Sequence, residues 1–135
     1  MQAPSSPAEM PLRSEHDIVL ARQAVRRAAQ DVGLSLVDQT KLVTAASELA
    51  RNALIHGGGG HMVLSVLRNE ARLGVQLSFV DQGPGIPNLD LAMSDGWTSG
   101  GGLGMGLPGA RRLVNEFDLK TEVGAGTRIT VVRWK

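Results

Sequence analysis

A glycine-rich stretch at residues 99–109 constrains this chain more than any other part of it. It reads S-G-G-G-L-G-M-G-L-P-G, so six of its eleven residues are glycine, and a segment with helical spacing of apolar residues follows. Glycine leaves backbone N–H groups uncovered, and a helix that begins at such a loop adds the positive end of its dipole. These groups together favour an anion, phosphate above all. The sequence therefore predicts a phosphate-binding loop in preference to a solvated linker, which would not regularly place Leu103, Met105 and Leu107 between glycines.

The loop does not match the two common phosphate-binding motifs. No lysine follows it, which excludes the G-x-x-x-x-G-K-[S/T] pattern. The frame Gly104, Gly106, Gly109 does fit G-x-G-x-x-G, but that motif belongs after the first strand of a βαβ unit, and this loop comes late in the chain.

Composition narrows the class of protein further. The 135 residues suffice for one domain, and we expect a loose tail at residues 1–11 and a single domain at residues 12–135. A net charge of +1 without a basic run argues against nucleic acid. The absence of cysteine is compatible with a reducing cytoplasm, and no apolar run is long enough for a membrane span. We therefore expect a cytoplasmic protein with neither nucleic-acid nor membrane partners.

The periodicity of apolar residues predicts an α/β domain. Two capping signals, Ser14-x-x-Asp17 and Ser35-x-x-Asp38, precede segments with helical spacing. Alternating segments and glycine turns predict two central strands and a terminal hairpin, and a short strand near residues 11–13 is compatible with the pattern. The predicted helices are 16–32, 36–56 and one that ends near 116; the strands are 62–67, 73–79, 117–123 and 127–134, with a turn at 124–126; residues 88–99 form a short helix and a mobile loop.

One face of the second predicted helix carries polar side chains four residues apart: Thr44, Glu48, Asn52 and His56. Residues at this spacing stack along one helix face. Glu48 could act as a general base or orient a hydroxyl, Asn52 offers a neutral oxygen to Mg²⁺, and His56 could reach a phosphate. Each residue also has an ordinary structural role, as a solvated charge or a partner of the helix terminus, so the face alone leaves both interpretations open.

An acid follows the second predicted strand. Asp81 precedes Gly83, Pro84 and Gly85, and an ionised carboxylate only accepts hydrogen bonds. Such a group selects a donor such as the exocyclic amine of adenine. The alternative is a turn that the Asp side chain initiates.

Four segments occur in an order that resembles a known family. They are E-L-A-R-N-A-L-I-H at 48–56, D-Q-G-P-G at 81–85, G-G-G-L-G-M-G-L at 100–107 and G-A-G-T at 124–127. These resemble the N, G1, G2 and G3 boxes of the GHKL ATPase/kinase superfamily, which includes gyrase, Hsp90, histidine kinases and MutL. The resemblance implies a two-layer α/β sandwich of the Bergerat type, with a mostly antiparallel sheet, three main helices and a mobile ATP lid.

The same resemblance implies roles for individual residues, with ATP and Mg²⁺ as cofactors. Glu48 matches the catalytic glutamate and Asn52 the Mg²⁺ ligand, while Asp81 matches the adenine-binding aspartate. Thr127 matches the threonine that helps to hold adenine through water. The remaining expected nucleotide-binding residues are Arg51, His56, Gly83, Gly85, Ile86, Gly101, Gly102, Leu103, Gly104, Met105, Gly106 and Leu107.

Within the superfamily, the phrases S-E-L-A-R-N, D-Q-G-P-G-I-P and G-G-L-G-M-G-L-P-G are most similar to the RsbT-type serine/threonine kinases. This resemblance implies a kinase that phosphorylates a STAS-domain antagonist protein and, once released, activates a PP2C-type phosphatase. The segment A-L-I-H at 53–56 is more similar to the anti-sigma kinases of the RsbW and SpoIIAB type, whose partner is a sigma factor. A nucleotide-gated binding module without productive transfer is the third alternative.

Overall fold

The structure is a computed structural model that describes residues 7–86, 93 and 106–135. The described helices pack against a single β-sheet. In chain order they are β1 (Ala8–Leu12), α1 (Glu15–Asp31), α2 (Leu36–Ile55), β2 (Gly60–Asn69), β3 (Arg72–Asp81), α3 (Gly106–Arg112), β4 (Glu116–Glu122) and β5 (Gly126–Trp134).

The strands form one five-stranded sheet in the order β1-β2-β3-β5-β4, and every neighbouring pair is antiparallel. On the face toward the helices, Met62 lies opposite Phe79, which lies opposite Ile129. All three side chains are at most 2% exposed and belong to one core cluster with residues of α1, α2 and α3. The two-layer α/β sandwich expected from the sequence is confirmed.

Both predicted helix starts are confirmed by their caps. Ser14 Oγ accepts a hydrogen bond from the Asp17 N–H at 3.2 Å, and Ser35 Oγ accepts one from the Asp38 N–H at 3.1 Å. Asp38 then forms an ion pair with Arg133 at 2.7 Å, which joins the start of α2 to β5. Caps of this kind satisfy N–H groups that the first helical turn leaves without partners.

The third helix is shorter than the sequence predicted. It ends at Arg112, and β4 begins at Glu116, so the expectation of a helix to about residue 116 was wrong. The cause lies in β5: the Asn115 N–H donates to the Val132 carbonyl at 2.9 Å, and Asn115 Oδ1 accepts from the Trp134 N–H at 2.7 Å. These long-range hydrogen bonds hold residue 115 against β5, so the chain joins the sheet and no further helical turn forms.

The first strand also begins earlier than expected. Residues 8–11, which the sequence assigned to the loose tail, lie in β1 and pair with β2, with Ala8 opposite Leu64. Leu12 is fully buried and Met10 packs against the core, so alternate side chains of β1 attach this strand to the rest of the domain.

The predicted short helix and loop at 88–99 lie outside the described residues, apart from Met93. Among the described helices, none combines the length and the apolar character that crossing a membrane requires.

Candidate functional site

The end of α2 and the end of β3 meet at one corner of the sheet. After α2 ends at Ile55, the chain turns through His56 and Gly57–Gly59 and enters β2 at Gly60, which lies opposite Asp81. The turn is held by Ala53, whose carbonyl accepts hydrogen bonds from the Gly57 and Gly59 N–H groups at 3.1 and 3.0 Å. The structure therefore brings the C-terminal end of the polar face of α2 beside the acid that the sequence singled out.

Asp81 is buried at this corner, with 6% of its surface exposed. Its Oδ1 accepts a hydrogen bond from the Gly83 N–H at 3.0 Å, and the Thr127 backbone N–H also donates to the carboxylate. Burial raises the pKa of Asp81 above its ordinary value of 3.8, while these two bonds and the charge of nearby His56 act in the opposite direction. The bond to Gly83 is the turn that the sequence offered as an alternative, so Asp81 has this structural role whatever else it binds.

The backbone packs closely against Asp81, and glycine is needed for that packing. A Cβ atom at Gly57 would lie 2.6 Å from Asp81 Oδ2 and closer still to Cγ, whereas one at Gly83 would lie 2.6 Å from the Gly57 Cα. Gly57 was not predicted as a site residue from the sequence. The signal that could have found it, a glycine directly after His56, has too many other causes to be used alone.

Thr127 lies directly opposite Asp81 in the ladder between β3 and β5 and is 6% exposed. Its hydroxyl lies 2.9 Å from that of Thr121 on β4, and Thr121 Oγ1 also accepts the Ile86 N–H at 2.9 Å. The sequence analysis missed Thr121. The turn predicted at 124–126 would pair Thr127 with residue 123, but the observed turn at 123–125 pairs it with Thr121.

The polar face of α2 is half-buried along its length. Thr44, Glu48 and Asn52 have intermediate exposure, and His56 is exposed at the C-cap of the helix. His56 is close enough to Asp81 for its charge to lower the pKa of that carboxyl. The polar face therefore runs along α2 and ends beside Asp81. His56 lies closer to this expected base-binding acid than its expected contact with a phosphate requires.

Arg51 points toward α1. Its guanidinium lies 2.9 Å from Glu15 Oε1, and the side chains of Arg51 and Glu15 are 44% and 67% exposed. An exposed pair of this kind is screened by solvent and holds its partners weakly. The structure thus gives Arg51 a partner that the sequence analysis did not anticipate.

The described part of the glycine-rich stretch forms the start of α3. Gly106 has a φ of 68°, which favours glycine, and Leu107 is 2% exposed in the core. Pro108 lies in the first turn of α3, where its missing N–H leaves no helical bond unmade. Because the Leu107 side chain is buried, only its backbone can face a ligand. The expected lid residues Gly101, Gly102, Leu103, Gly104 and Met105 lie outside the described residues.

The residues at this corner fit a nucleotide. A buried carboxylate can accept a hydrogen bond from the amine of a base, and the glycines packed against it carry no side chains. In the described ranges, no group of three or more His, Cys, Asp and Glu side chains could hold a metal ion. Asn52 offers a half-buried amide oxygen on α2, which suits Mg²⁺ that keeps its waters and binds substrate phosphates.

Comparisons with known proteins bear on the family and the fold of the chain. The profile of the family described as "Histidine kinase-, DNA gyrase B-, and HSP90-like ATPase" matches residues 37–135. The chain is 42% identical over 123 residues to serine/threonine-protein kinase RsbT of Bacillus subtilis (strain 168), covering 91% of this chain and 92% of that protein. It is 28% identical over 125 residues to an anti-sigma F factor of Clostridium beijerinckii, covering 88% and 86% of the two chains.

Solved structures show the same fold. The RsbU and RsbW domains of Rv1364c from Mycobacterium tuberculosis match with a TM-score of 0.64 and 21% identity over 98% of this chain and 33% of that chain. The mycobacterial sensor histidine kinase MprB matches with a TM-score of 0.55 and 22% identity over 95% of both chains. Together with the family profile and the similarity to RsbT, they show that this chain belongs to the histidine kinase-, DNA gyrase B- and HSP90-like ATPase family, as an ATP-using, RsbT-like serine/threonine-protein kinase.

Proposed function

We propose that this kinase phosphorylates a serine or threonine of a STAS-domain antagonist protein and, once released from it, activates a PP2C-type phosphatase. The 42% identity to RsbT supports a role in partner switching. The observation that carries the proposal is the meeting of the α2 polar face with buried Asp81, because it joins a candidate catalytic face to a candidate base-binding acid.

At the base, we assign recognition of adenine to Asp81. Its carboxylate is held by the N–H groups of Gly83 and Thr127, so it has a defined direction before any ligand arrives. A carboxylate rejects the keto oxygen of guanine because neither group has a hydrogen to donate. Gly83, Gly85 and Ile86 would border the base, and Thr127 would hold it through water.

Along α2, we assign the phosphates and the metal ion to other residues. Asn52 would ligate Mg²⁺ through its amide oxygen, and Arg51 would lie near the phosphates, with its guanidinium shared with Glu15. His56 belongs to the same set, although its position favours contact near Asp81. The N–H groups at Gly106 and Leu107, with residues 101–105 of the loop, would contact the triphosphate.

Glu48 is the proposed catalytic residue. Bound ATP supplies the γ-phosphoryl group that is transferred. Transfer of a phosphoryl group requires positioning and charge stabilisation more than covalent chemistry from the protein. Glu48 would orient the hydroxyl of the partner protein and accept its proton as the new oxygen–phosphorus bond forms and ADP leaves.

The test is the transfer of phosphate to the partner protein by the Glu48→Ala variant. We expect a loss of about 10²- to 10⁴-fold in the transfer rate, as for removal of a general base. ATP affinity should stay within about twofold of wild type, since Glu48 is not assigned to nucleotide binding. Asp118→Asn on exposed β4 is the matched control and should leave both quantities unchanged. Transfer at the wild-type rate by Glu48→Ala would contradict the role.

A second candidate is an anti-sigma factor that also phosphorylates an anti-antagonist. The similarity to anti-sigma F factors and the A-L-I-H segment after Asn52 favour it. Affinity capture from the host lysate distinguishes the two: a STAS protein in the eluate supports the first candidate, and a sigma factor supports the second. If instead signalling survives Glu48→Ala, the chain is a nucleotide-gated binding module.

A further inference from the structure

We propose that Gly57 is a positioning residue for nucleotide recognition: its lack of a side chain lets the turn after α2 hold the Asp81 carboxylate where it meets the base. This inference rests on the base-binding role proposed for Asp81. It assigns to Gly57 a part in base selectivity, in addition to ending a helix.

The contact between Gly57 and Asp81 leaves no room for a methyl group. A Cβ atom at Gly57 would fall 2.6 Å from Asp81 Oδ2, with Cβ and Cγ of Asp81 closer still. Separations below 3.0 Å essentially never occur for a Cβ atom in real proteins. Two of these atoms, Cγ and Oδ2, belong to the carboxylate, and the third, Cβ, is fixed by the backbone of Asp81.

The backbone conformation of Gly57 does not explain why glycine is needed there. Gly58 and Gly59 have φ angles of 72° and 101°, in the region that favours glycine, whereas Gly57 is absent from the positive-φ residues of the described chain. The φ of Gly57 therefore lies outside the region that excludes alanine. The close approach to Asp81 is therefore what the glycine serves.

Gly83 packs against the backbone of Gly57 and also binds Asp81. A Cβ atom at Gly83 would lie 2.6 Å from the Gly57 Cα, and the Gly83 N–H donates to Asp81 Oδ1 at 3.0 Å. Gly57, Asp81 and Gly83 thus form one packed unit, which we call the glycine clamp. Two backbone segments confine the carboxylate between them.

The backbone of Asp81 cannot shift to relieve crowding in the glycine clamp. It lies at the end of the central strand and is paired on both sides, opposite Gly60 on β2 and Thr127 on β5. Because the Asp81 Cβ moves only with that backbone, rotation of the carboxylate cannot remove the whole clash, and an added methyl group at Gly57 must also displace the turn after α2. Both changes alter the position of the acceptor oxygens relative to a base, while Asn52 stays within α2.

The experiment compares Gly57→Ala with Gly58→Ala by calorimetric titration. The two nucleotides are Mg-ATP and Mg-purine riboside triphosphate, which lacks the 6-amino group. Gly58 has open space around its Cα, so the control replaces a neighbouring glycine without crowding Asp81, and its positive φ makes it the more strained variant. Wild type and Gly58→Ala should prefer ATP by about 10- to 100-fold, the value of a hydrogen bond to a charged group.

We expect Gly57→Ala to lose most of this preference and to bind the amine-free nucleotide as wild type does. A general loss of structure would weaken both nucleotides equally, so the ratio separates positioning from folding. Should Gly57→Ala fail to fold in a thermal melt, Gly83→Ala crowds the clamp from the other side and should lose the same preference. An unchanged preference in the folded variant overturns the inference and leaves the proposed function intact. A wild type without any preference overturns the role of Asp81 and this inference together.

Discussion

The two ends of the candidate site are built in different ways. The base end is formed by Asp81, Gly83, Thr121 and Thr127, of which Asp81 and Thr127 are buried, and it is held by backbone N–H groups and sheet register. The helix end, formed by Glu48, Arg51 and Asn52, consists of side chains that project from one regular helix and keep part of their surface in solvent. One end depends on packing between distant segments, and the other depends on helical periodicity.

This difference has physical consequences for substitutions. At the base end, the local dielectric constant is low, so an unsatisfied polar group costs a large free energy. An atom that a substitution displaces there also has little space to move into. At the helix end, water screens charges and side chains can change rotamer. We therefore expect substitutions at the base end to alter nucleotide affinity and stability strongly, and surface pairs at the helix end to contribute little to stability.

The strongest test of this comparison is Asp81→Asn. The amide presents donors where the amine of adenine needs an acceptor, so we expect ATP affinity to fall by about 10- to 100-fold or more. Calorimetric titration of Mg-ATP and Mg-GTP into wild type and Asp81→Asn measures this, and wild type should bind ATP and not GTP. The same titration on Asn52→Ala should instead remove the Mg²⁺ dependence. Unchanged ATP binding by Asp81→Asn would show that the buried end does not read the base.

A smaller effect concerns stability in the absence of nucleotide. Burial raises the pKa of Asp81 in the folded chain above 3.8, its ordinary value. A carboxyl with a raised folded pKa stabilises the fold fully only below its unfolded pKa, and that contribution is lost as the pH rises through the folded pKa. Asp81→Asn, which never ionises, should therefore be more stable than wild type at neutral pH.

Urea unfolding of both proteins across the acidic and neutral range measures this difference. It should shrink as the pH falls and disappear only below pH 3.8, the ordinary pKa of the group. If Asp81→Asn were the less stable protein at neutral pH, the bonds from Gly83 and Thr127 would outweigh the cost of burial, and the base end would not be strained by its charge.

The smallest expected effect is at the ion pair between Arg51 and Glu15 on the helix end. Because both side chains are largely exposed, removal of either should cost only about 0.2–1 kcal/mol of the free energy of unfolding. Glu15→Gln releases Arg51 without removing it, so ATP affinity should be kept, whereas Arg51→Ala should weaken it a few-fold. Equal ATP affinities in the two variants would assign Arg51 to the ion pair alone.

The same division separates what could be predicted from the sequence. The helix caps at Ser14 and Ser35 and the polar face of α2 depend on residues three or four apart, and the structure confirms these helices. Asp81 was placed correctly at the exit of its strand for a similar reason. Local patterns of this kind are visible in any one segment.

Long-range contacts were not predictable in that way. Gly57 contributes to the site through its contact with Asp81, 24 positions away in the sequence. Thr121 contributes because it pairs with Thr127, in a hairpin whose turn begins one residue earlier than its glycines suggested. The predicted end of α3 was wrong for the same reason, because hydrogen bonds between Asn115 and β5 draw the chain into the sheet. Each depends on strand register, which a single sequence does not specify.

The position of Asp81 opposite Thr127 also links nucleotide binding to the order of folding. The chain through β3 contains Glu48, Asn52 and Asp81, but the base end is complete only after β5 has paired with β3. A ligand that binds only the folded state stabilises it by a free energy that grows with the logarithm of the ratio of its concentration to the dissociation constant. ATP should therefore stabilise the chain only after its C-terminal hairpin has docked, which makes nucleotide affinity a direct measure of complete sheet assembly.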